Sequence, residues 1–187
     1  IMFENCNINA PIGTNYLTAA VTASATSTSI TATGNNASDI TLSGCNMSGG
    51  YYGVSFYGAS TSLKSANFVV EDCTINDVYY YGSRFQYVSD VQLINTEINA
   101  SYTYSYGAYL YYVDRAKVSS NKIFAGSYAI YMYYHNNGLT PTTRSEVSNN
   151  FGGANTYAFY ASSINETNIY NNSFLGNQRG AAIYTPS

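Results

Sequence analysis

Three cysteines, ten carboxylates, one histidine and 22 tyrosines carry most of the chemistry available to this chain of 187 residues. Cys6, Cys45 and Cys73 are spaced by 39 and 28 residues, which matches no zinc signature. All three fall on one position of a repeated unit. Their Cβ vectors then run parallel, which suits a disulfide poorly, so stacked free thiols acting as small hydrophobes are expected. No metal site and no cofactor is predicted. Glycan hydrolysis needs two carboxylates flanking one bond. The acids are Glu4, Asp39, Glu71, Asp72, Asp77, Asp90, Glu97, Asp114, Glu146 and Glu166. Glu71, Asp72 and Asp77 are the densest group, and a strand followed by a turn would make Asp72 and Asp77 neighbours. They read as solvated turn acids, and no catalytic residue is assigned. His135 opens the segment His135-Asn-Asn-Gly-Leu-Thr-Pro with no nucleophile beside it, and reads as a surface-loop histidine.

The tyrosines are patterned. Tyr109, Tyr131, Tyr160 and Tyr184 recur at one outward position of successive repeats, with Tyr111 and Tyr133 two residues on. Arg84 is the one cation expected on that face. An exposed aromatic strip marks an interaction surface in most soluble proteins. Tyr offers a flat ring and a hydroxyl at low entropic cost, which suits sugar rings or another protein. Aromatic stacking along a parallel sheet also stabilises each pair by about 0.5–1.5 kcal/mol, so the same pattern has a purely structural reading.

These residues are positioned by an internal repeat. Phe3-Glu-Asn-Cys6-Asn-Ile8, Leu42-Ser-Gly-Cys45-Asn-Met47 and Val70-Glu-Asp-Cys73-Thr-Ile75 share one pattern. So do Leu93-Ile-Asn-Thr96-Glu-Ile98, Val118-Ser-Ser-Asn121-Lys-Ile123 and Ile169-Tyr-Asn-Asn172-Ser-Phe174. Val147-Ser-Asn149-Asn-Phe151 reads as the same unit with one residue deleted. The spacings are 39, 28, 23, 25, 28 and 23 residues, a period that with strand composition means solenoid rungs. A second strand follows each unit, from Gly53 to Tyr57 in one rung and from Ala182 to Tyr184 in the last. Period-2 alternation points Val54, Ala108, Ile130, Phe159 and Ile183 inward and the tyrosines outward. A third strand leads into the next rung. Asp39, Asn67, Asp90, Arg115 and Glu166 stand at its polar corner, where Asp90 and Arg115 on adjacent rungs are placed to pair. Longer connections at Thr18–Ser38, Gly58–Ala66 and His135–Arg144 all follow the second strand and border the tyrosine face.

Composition excludes several classes. Charged residues make up 9% and the net charge is −3 with seven Lys plus Arg, which is unsuited to nucleic acid. No apolar run is long enough for a transmembrane helix. Sequons at Asn36, Asn46, Asn99, Asn165 and Asn171 occur as often as the abundance of Asn, Ser and Thr gives by chance. The chain opens at Ile1 and nothing in it reads as a cap, so a fragment of a longer chain is expected.

The rungs resemble the right-handed parallel β-helix superfamily of pectate lyases, polygalacturonases, phage tailspikes and bacterial surface proteins. Asn121, Asn149 and Asn172 resemble its asparagine ladder, with Cys6, Cys45 and Cys73 in the same place in earlier rungs. The resemblance covers nearly the whole chain and is specific for fold, not function. The polygalacturonase motifs are absent. The expectation is an all-β, right-handed parallel β-helix of about seven rungs with three short strands each, in one domain over residues 1–187. It reads as a non-catalytic extracellular or cell-surface module: adhesin, stalk or filament component. Its partners would be a polysaccharide, another surface protein or neighbouring subunits, bound through Tyr109, Tyr111, Tyr131, Tyr133, Tyr160, Tyr184 and Arg84. The alternative is a polysaccharide lyase, a glycoside hydrolase or a tailspike.

Overall fold

The computed structural model describes residues 1–34, 37–100, 102–136 and 144–184. Strands β1 to β21, in chain order, form three seven-stranded parallel sheets, with no helix among the described residues. The first sheet runs from β1 (Met2–Glu4) to β19 (Thr167–Tyr170), and the second from β2 (Asn7–Asn9) to β20 (Ser173–Gly176). The third holds β3 (Ala19–Ala23), β6 (Tyr52–Tyr57), β9 (Tyr81–Gln86), β12 (Tyr106–Tyr111), β15 (Tyr128–His135), β18 (Tyr157–Ile164) and β21 (Arg179–Tyr184). Each strand pairs with the strand three before and three after it. The molecule is a right-handed parallel β-helix of seven rungs with three strands per rung.

Left-handed residues turn the chain at two corners. Between the first and second sheets, Asn5, Gly44, Asp72, Asn95, Ser120, Asn149 and Asn171 all have φ between 45° and 62°. Asn, Asp and Gly tolerate this conformation better than other residues do. Before the first sheet, Asp39, Asn67, Asp90, Arg115 and Glu166 adopt the same conformation, as the polar-corner reading anticipates. Arg115 donates from Nε and Nη2 to the two Asp90 carboxylate oxygens at 2.6 and 2.7 Å. That hydrogen bonding holds the Asp90 carboxyl below its usual range. The half-exposed pair contributes about 1 kcal/mol at most.

The residue after each first-corner turn points inward and forms a ladder. Asn121 Nδ2 donates to Leu93 O at 2.8 Å and to Asn150 Oδ1 at 3.0 Å. Asn150 Nδ2 donates to Val118 O and to Asn172 Oδ1, both at 2.9 Å. Sequence reasoning placed Asn149 on the ladder in a unit with one residue deleted, and the structure corrects this. Asn149 is the left-handed turn residue and Asn150 is the ladder residue. Register runs unbroken from Ile123 to Gly152 to Phe174, so Gly152 takes the apolar position and Phe151 points outward. In earlier rungs the ladder is Cys6, Cys45, Cys73 and Thr96, with Cys45 N donating to Cys73 Sγ at 3.4 Å. The three thiols are free.

The core is one apolar column bounded by the three sheets, with Leu42, Val70, Leu93, Val118 and Val147 stacked at one position. Each such side chain contributes roughly 1.5–3 kcal/mol on burial. Two further readings need revision. The Thr18–Ser38 excursion contains β3, the first rung's own strand in the third sheet, so the true insertion begins after Ala23. His135 is not a surface-loop residue: it ends β15, faces the core and is fully buried. The Asn137–Thr143 part of its loop lies outside the described residues.

Candidate functional site: the tyrosine face of the third sheet

The tyrosine face exists because each strand of the third sheet is kinked near its start. Register pairs Tyr52 with Tyr81 and Val54 with Ser83, leaving Gly53 opposite Gly82. A Cβ on Gly53, Gly82 or Gly107 would lie 2.2–2.3 Å from Cγ2 of Ile75, Ile98 or Ile123, so these positions face inward against the second sheet. The next position, Val54, Ala108, Ile130 or Phe159, also faces inward. Two consecutive inward residues break the period-2 rule, and the tyrosine before them therefore faces out.

This kink creates a column that alternation alone misses. Tyr52, Tyr81, Tyr106, Tyr128 and Tyr157 stack with centroids 5.3, 5.2, 4.9 and 5.4 Å apart and planes within 18°. A recurrent Tyr-Gly or Tyr-Ala pair at the head of β6, β9, β12, β15 and β18 is the sequence feature that marks it. The second column is the expected one: Tyr109, Tyr131 and Tyr160 stack at 5.1 and 4.9 Å with planes 4° and 5° apart. Tyr111 and Tyr133 form a third, at 5.9 Å and 2°. Edge-on contacts such as Tyr106–Tyr109, at 5.4 Å and 86°, join the first two columns.

Two predicted members move. Tyr184 does not extend the Tyr109 column, because register pairs Tyr160 with Ala182 and Ser162 with Tyr184. It follows Tyr111 and Tyr133 instead, and Ile183, which aligns with Ala161, is 54% exposed on the last rung. Arg84 is not the only cation on the face. Arg179 heads β21 in register with Tyr157, with its guanidinium 5.5 Å from that ring and Nη1 donating to Tyr184 Oη at 2.6 Å.

Arg84 precedes Tyr109 in the second column. Its guanidinium carbon lies 5.2–6.0 Å from the rings of Tyr57, Tyr81, Tyr52 and Tyr109. Nη1 donates to Tyr52 Oη at 3.3 Å and Nη2 to Gln86 Oε1 at 2.5 Å. The side chain is a cation in a cage of π faces, with no carboxylate partner among the described residues.

Stacking decides what the face can offer. Rings layered at about 5 Å cover one another's faces, so edges and hydroxyls meet solvent. Tyr52 is 5% exposed and the tyrosines of the second and third columns are half-buried. Burial pushes the Tyr81, Tyr106 and Tyr131 phenols well above their ordinary range and Tyr109 up to about 12. These hydroxyls stay protonated, able to donate hydrogen bonds. The face is therefore a grid of neutral hydroxyls that can both donate and accept, with Tyr52, Tyr57, Tyr157 and Tyr184 already accepting from Arg84, Gln86 and Arg179. Stacking a sugar ring flat on a tyrosine, the expectation from composition, has little ring face to use.

The acids stand elsewhere. Asp72 stands at the turn before β8 (Thr74–Val78), a strand of the second sheet, and accepts from Asn95 Nδ2 at 2.6 Å, while Asp77 lies within β8 at a left-handed irregularity rather than at the following turn. A depression of about 280 Å³ on the outer face of the first sheet is bordered by Asp90, Arg115, Arg144 and Glu146. Asp90 there is paired with Arg115, and Arg144 pairs with Glu166 at 3.1 Å. A third polar group lies under the corner after the third sheet. His135 Nε2 is 2.6 Å from Ser145 Oγ, and Asn136 Nδ2 donates to the same hydroxyl at 3.1 Å. Among the described residues His135 Nδ1 has no hydrogen-bond partner. Desolvation, then the Lys64 charge, pushes its pKa down to about 3. Lys64 itself is buried in an ion pair with Asp114.

Three parallel sheets, an inward ladder and a side-chain-paved outer sheet define a β-helical repeat protein. Over residues 5–187 the chain matches the family model described as periplasmic copper-binding protein (NosD), and it belongs to that family. The family is described as periplasmic, which puts it outside the cytoplasmic compartment. No curated protein and no solved structure matches the chain. Among the described residues no helix is long and apolar enough to cross a membrane.

Proposed function

We propose that this chain is a non-catalytic binding module of an exported β-helical protein, and that the tyrosine face of the third sheet is its binding surface for a polysaccharide or a surface protein. The observation that supports this is continuity: tyrosine columns run across the rungs from Tyr52 to Tyr157 without a carboxylate on any strand of that sheet. Hydrolysis or β-elimination of a glycan would need converging acids or a base. The acids here are spread over the corners and the first two sheets, and Asp90, Glu97, Asp114 and Glu166 are held in ion pairs.

The family's description names copper, a metal with definite donor requirements. Copper draws on thiolate, thioether or imidazole ligands. Cys45, Cys73, Met47, Met132 and His135 are buried, Cys6 is partly buried against the core, and Met2 is exposed on the first strand. Burial pushes the Cys73 thiol up to about 11, which opposes the proton loss that metal binding requires. Among the described residues no group of three or more His, Cys, Asp and Glu converges, and the remaining residues include none of these types. The donors of this segment do not fit a copper site.

The test is attachment. Converting Tyr109, Tyr131 and Tyr160 together to Ser should abolish binding on a glycan array and to cells while circular dichroism retains the β-helix. Unchanged binding by the folded triple variant would reduce the columns to structural stacking.

A further inference from the structure

The charges of this protein are segregated with respect to the tyrosine face. The chain carries ten acids and a net charge of −3. None of the ten lies on β3, β6, β9, β12, β15, β18 or β21, whereas Arg84 and Arg179 both do. Elsewhere the cations are mostly neutralised: Lys64, Arg115, Lys122 and Arg144 each contact a carboxylate. The two arginines of the face contact only phenols and an amide among the described residues. An acidic protein thus presents one cationic face whose remaining polar groups are largely neutral hydroxyls, able to donate and to accept.

We infer that the tyrosine face binds a linear anionic glycan, one carrying carboxylate or sulfate groups, laid along the helix axis. The inference rests on the binding-face reading above and names its ligand class. Arg84 and Arg179 stand four rungs apart, about 19 Å at one rung per 4.8 Å. They meet anions spaced several sugar units apart, because guanidinium donates to carboxylate or sulfate in a fixed fork. The phenols between them repeat every 4.9–5.4 Å and donate to the neutral hydroxyl and ring oxygens of the intervening sugars. A neutral glycan leaves both arginines uncompensated. A membrane surface calls for clustered basic residues and apolar anchors, and the face has two arginines and no lysine. A peptide strand adds to a sheet edge through backbone bonds, whereas this surface is made of side chains.

The whole chain is used in the experiment, with alginate and heparin as carboxylate and sulfate probes, a neutral dextran, and an acidic polypeptide. Binding is read by affinity electrophoresis at low and high salt. Alginate or heparin should retard the protein and salt should weaken the effect, while dextran should not bind. Arg179→Gln removes an exposed cation and should weaken binding about tenfold, as expected for one charge-assisted contact. Tyr109, Tyr131 and Tyr160 changed to Phe keep the stack, lose the hydroxyls and should weaken it further. Dextran binding as tightly, with loss in the Phe variant, would overturn the anionic class and leave the face as the site. Acidic polypeptide binding in place of glycan, again sensitive to the Phe variant, would assign a protein partner. Glycan binding indifferent to both variants, or no binding of any probe, would overturn the face itself.

Discussion

Asn150 shows how much one side chain can carry in this molecule. Its amide donates to Val118 O and Asn172 Oδ1, and its oxygen accepts from Asn121 N and Nδ2. Asn150→Ala strands these groups in a buried site and should cost about 2–4 kcal/mol in urea denaturation. Asn149→Gly, at a left-handed and exposed position, should be neutral within about 0.5 kcal/mol. Equal effects at the two positions would contradict the register. His135 sets a pH dependence. Its folded pKa of about 3 lies below the 6.5 of a free histidine. Between these values the unfolded chain takes up a proton that the folded chain does not, so stability falls as pH falls through that window. The slope is about 1.4 kcal/mol per pH unit well below 6.5. His135→Val should remove this component when denaturation midpoints are compared between about pH 6 and 4. Parallel curves for the two proteins would sink the assignment.

At the scale of the strand, the kink at the head of each third-sheet strand governs the face. Gly107 sits where a Cβ would be 2.2 Å from Ile123 Cγ2 and 2.6 Å from Ala129 O. Ala129 and Ala158 fill the same position, each three residues before Met132 and Ala161 in the following rungs, so the kink can open for a methyl group. It has no room for an isopropyl group. Gly107→Val should cost about 3 kcal/mol through overpacking and disturb Tyr106, with loss of near-UV tyrosine dichroism as the readout. The element scale is also where sequence reasoning failed. Alternation assigned Tyr109, Tyr131 and Tyr160 correctly but carried no rule for two successive inward residues. It therefore missed Tyr52, Tyr81, Tyr106, Tyr128 and Tyr157. The same limit misplaced Tyr184, because a local pattern in β21 says nothing about which residue of β18 it opposes.

As a whole the molecule is quasi-one-dimensional: each strand pairs only with the equivalent strands of the rungs above and below it. Leu42 and Val147 lie four rungs apart, so the costs of Leu42→Ala and Val147→Ala should add within about 0.5 kcal/mol in the double variant. Leu42 and Val70 are register partners, and their double variant should deviate from additivity. Chevron or equilibrium urea data on the three single and two double variants separate the two cases.

What the sequence determined by itself was the repeat. A small inward residue between apolar landmarks, recurring with turn-forming Asn, Asp and Gly beside it, admits few structures other than stacked parallel rungs. The polar corner from Asp39 to Glu166, the free thiol ladder and the Asp90–Arg115 pair were legible for the same reason, since each depends only on equivalent positions in successive rungs. Only the tertiary structure decided what lies between rungs and across sheets. It buried His135 against Ser145, because β15 extends through residue 135 before turning. It gave Arg84 a cage of four rings and brought Arg179 to the same surface. It also turned the tyrosines edge-on, since rings held one per rung at about 5 Å must cover each other.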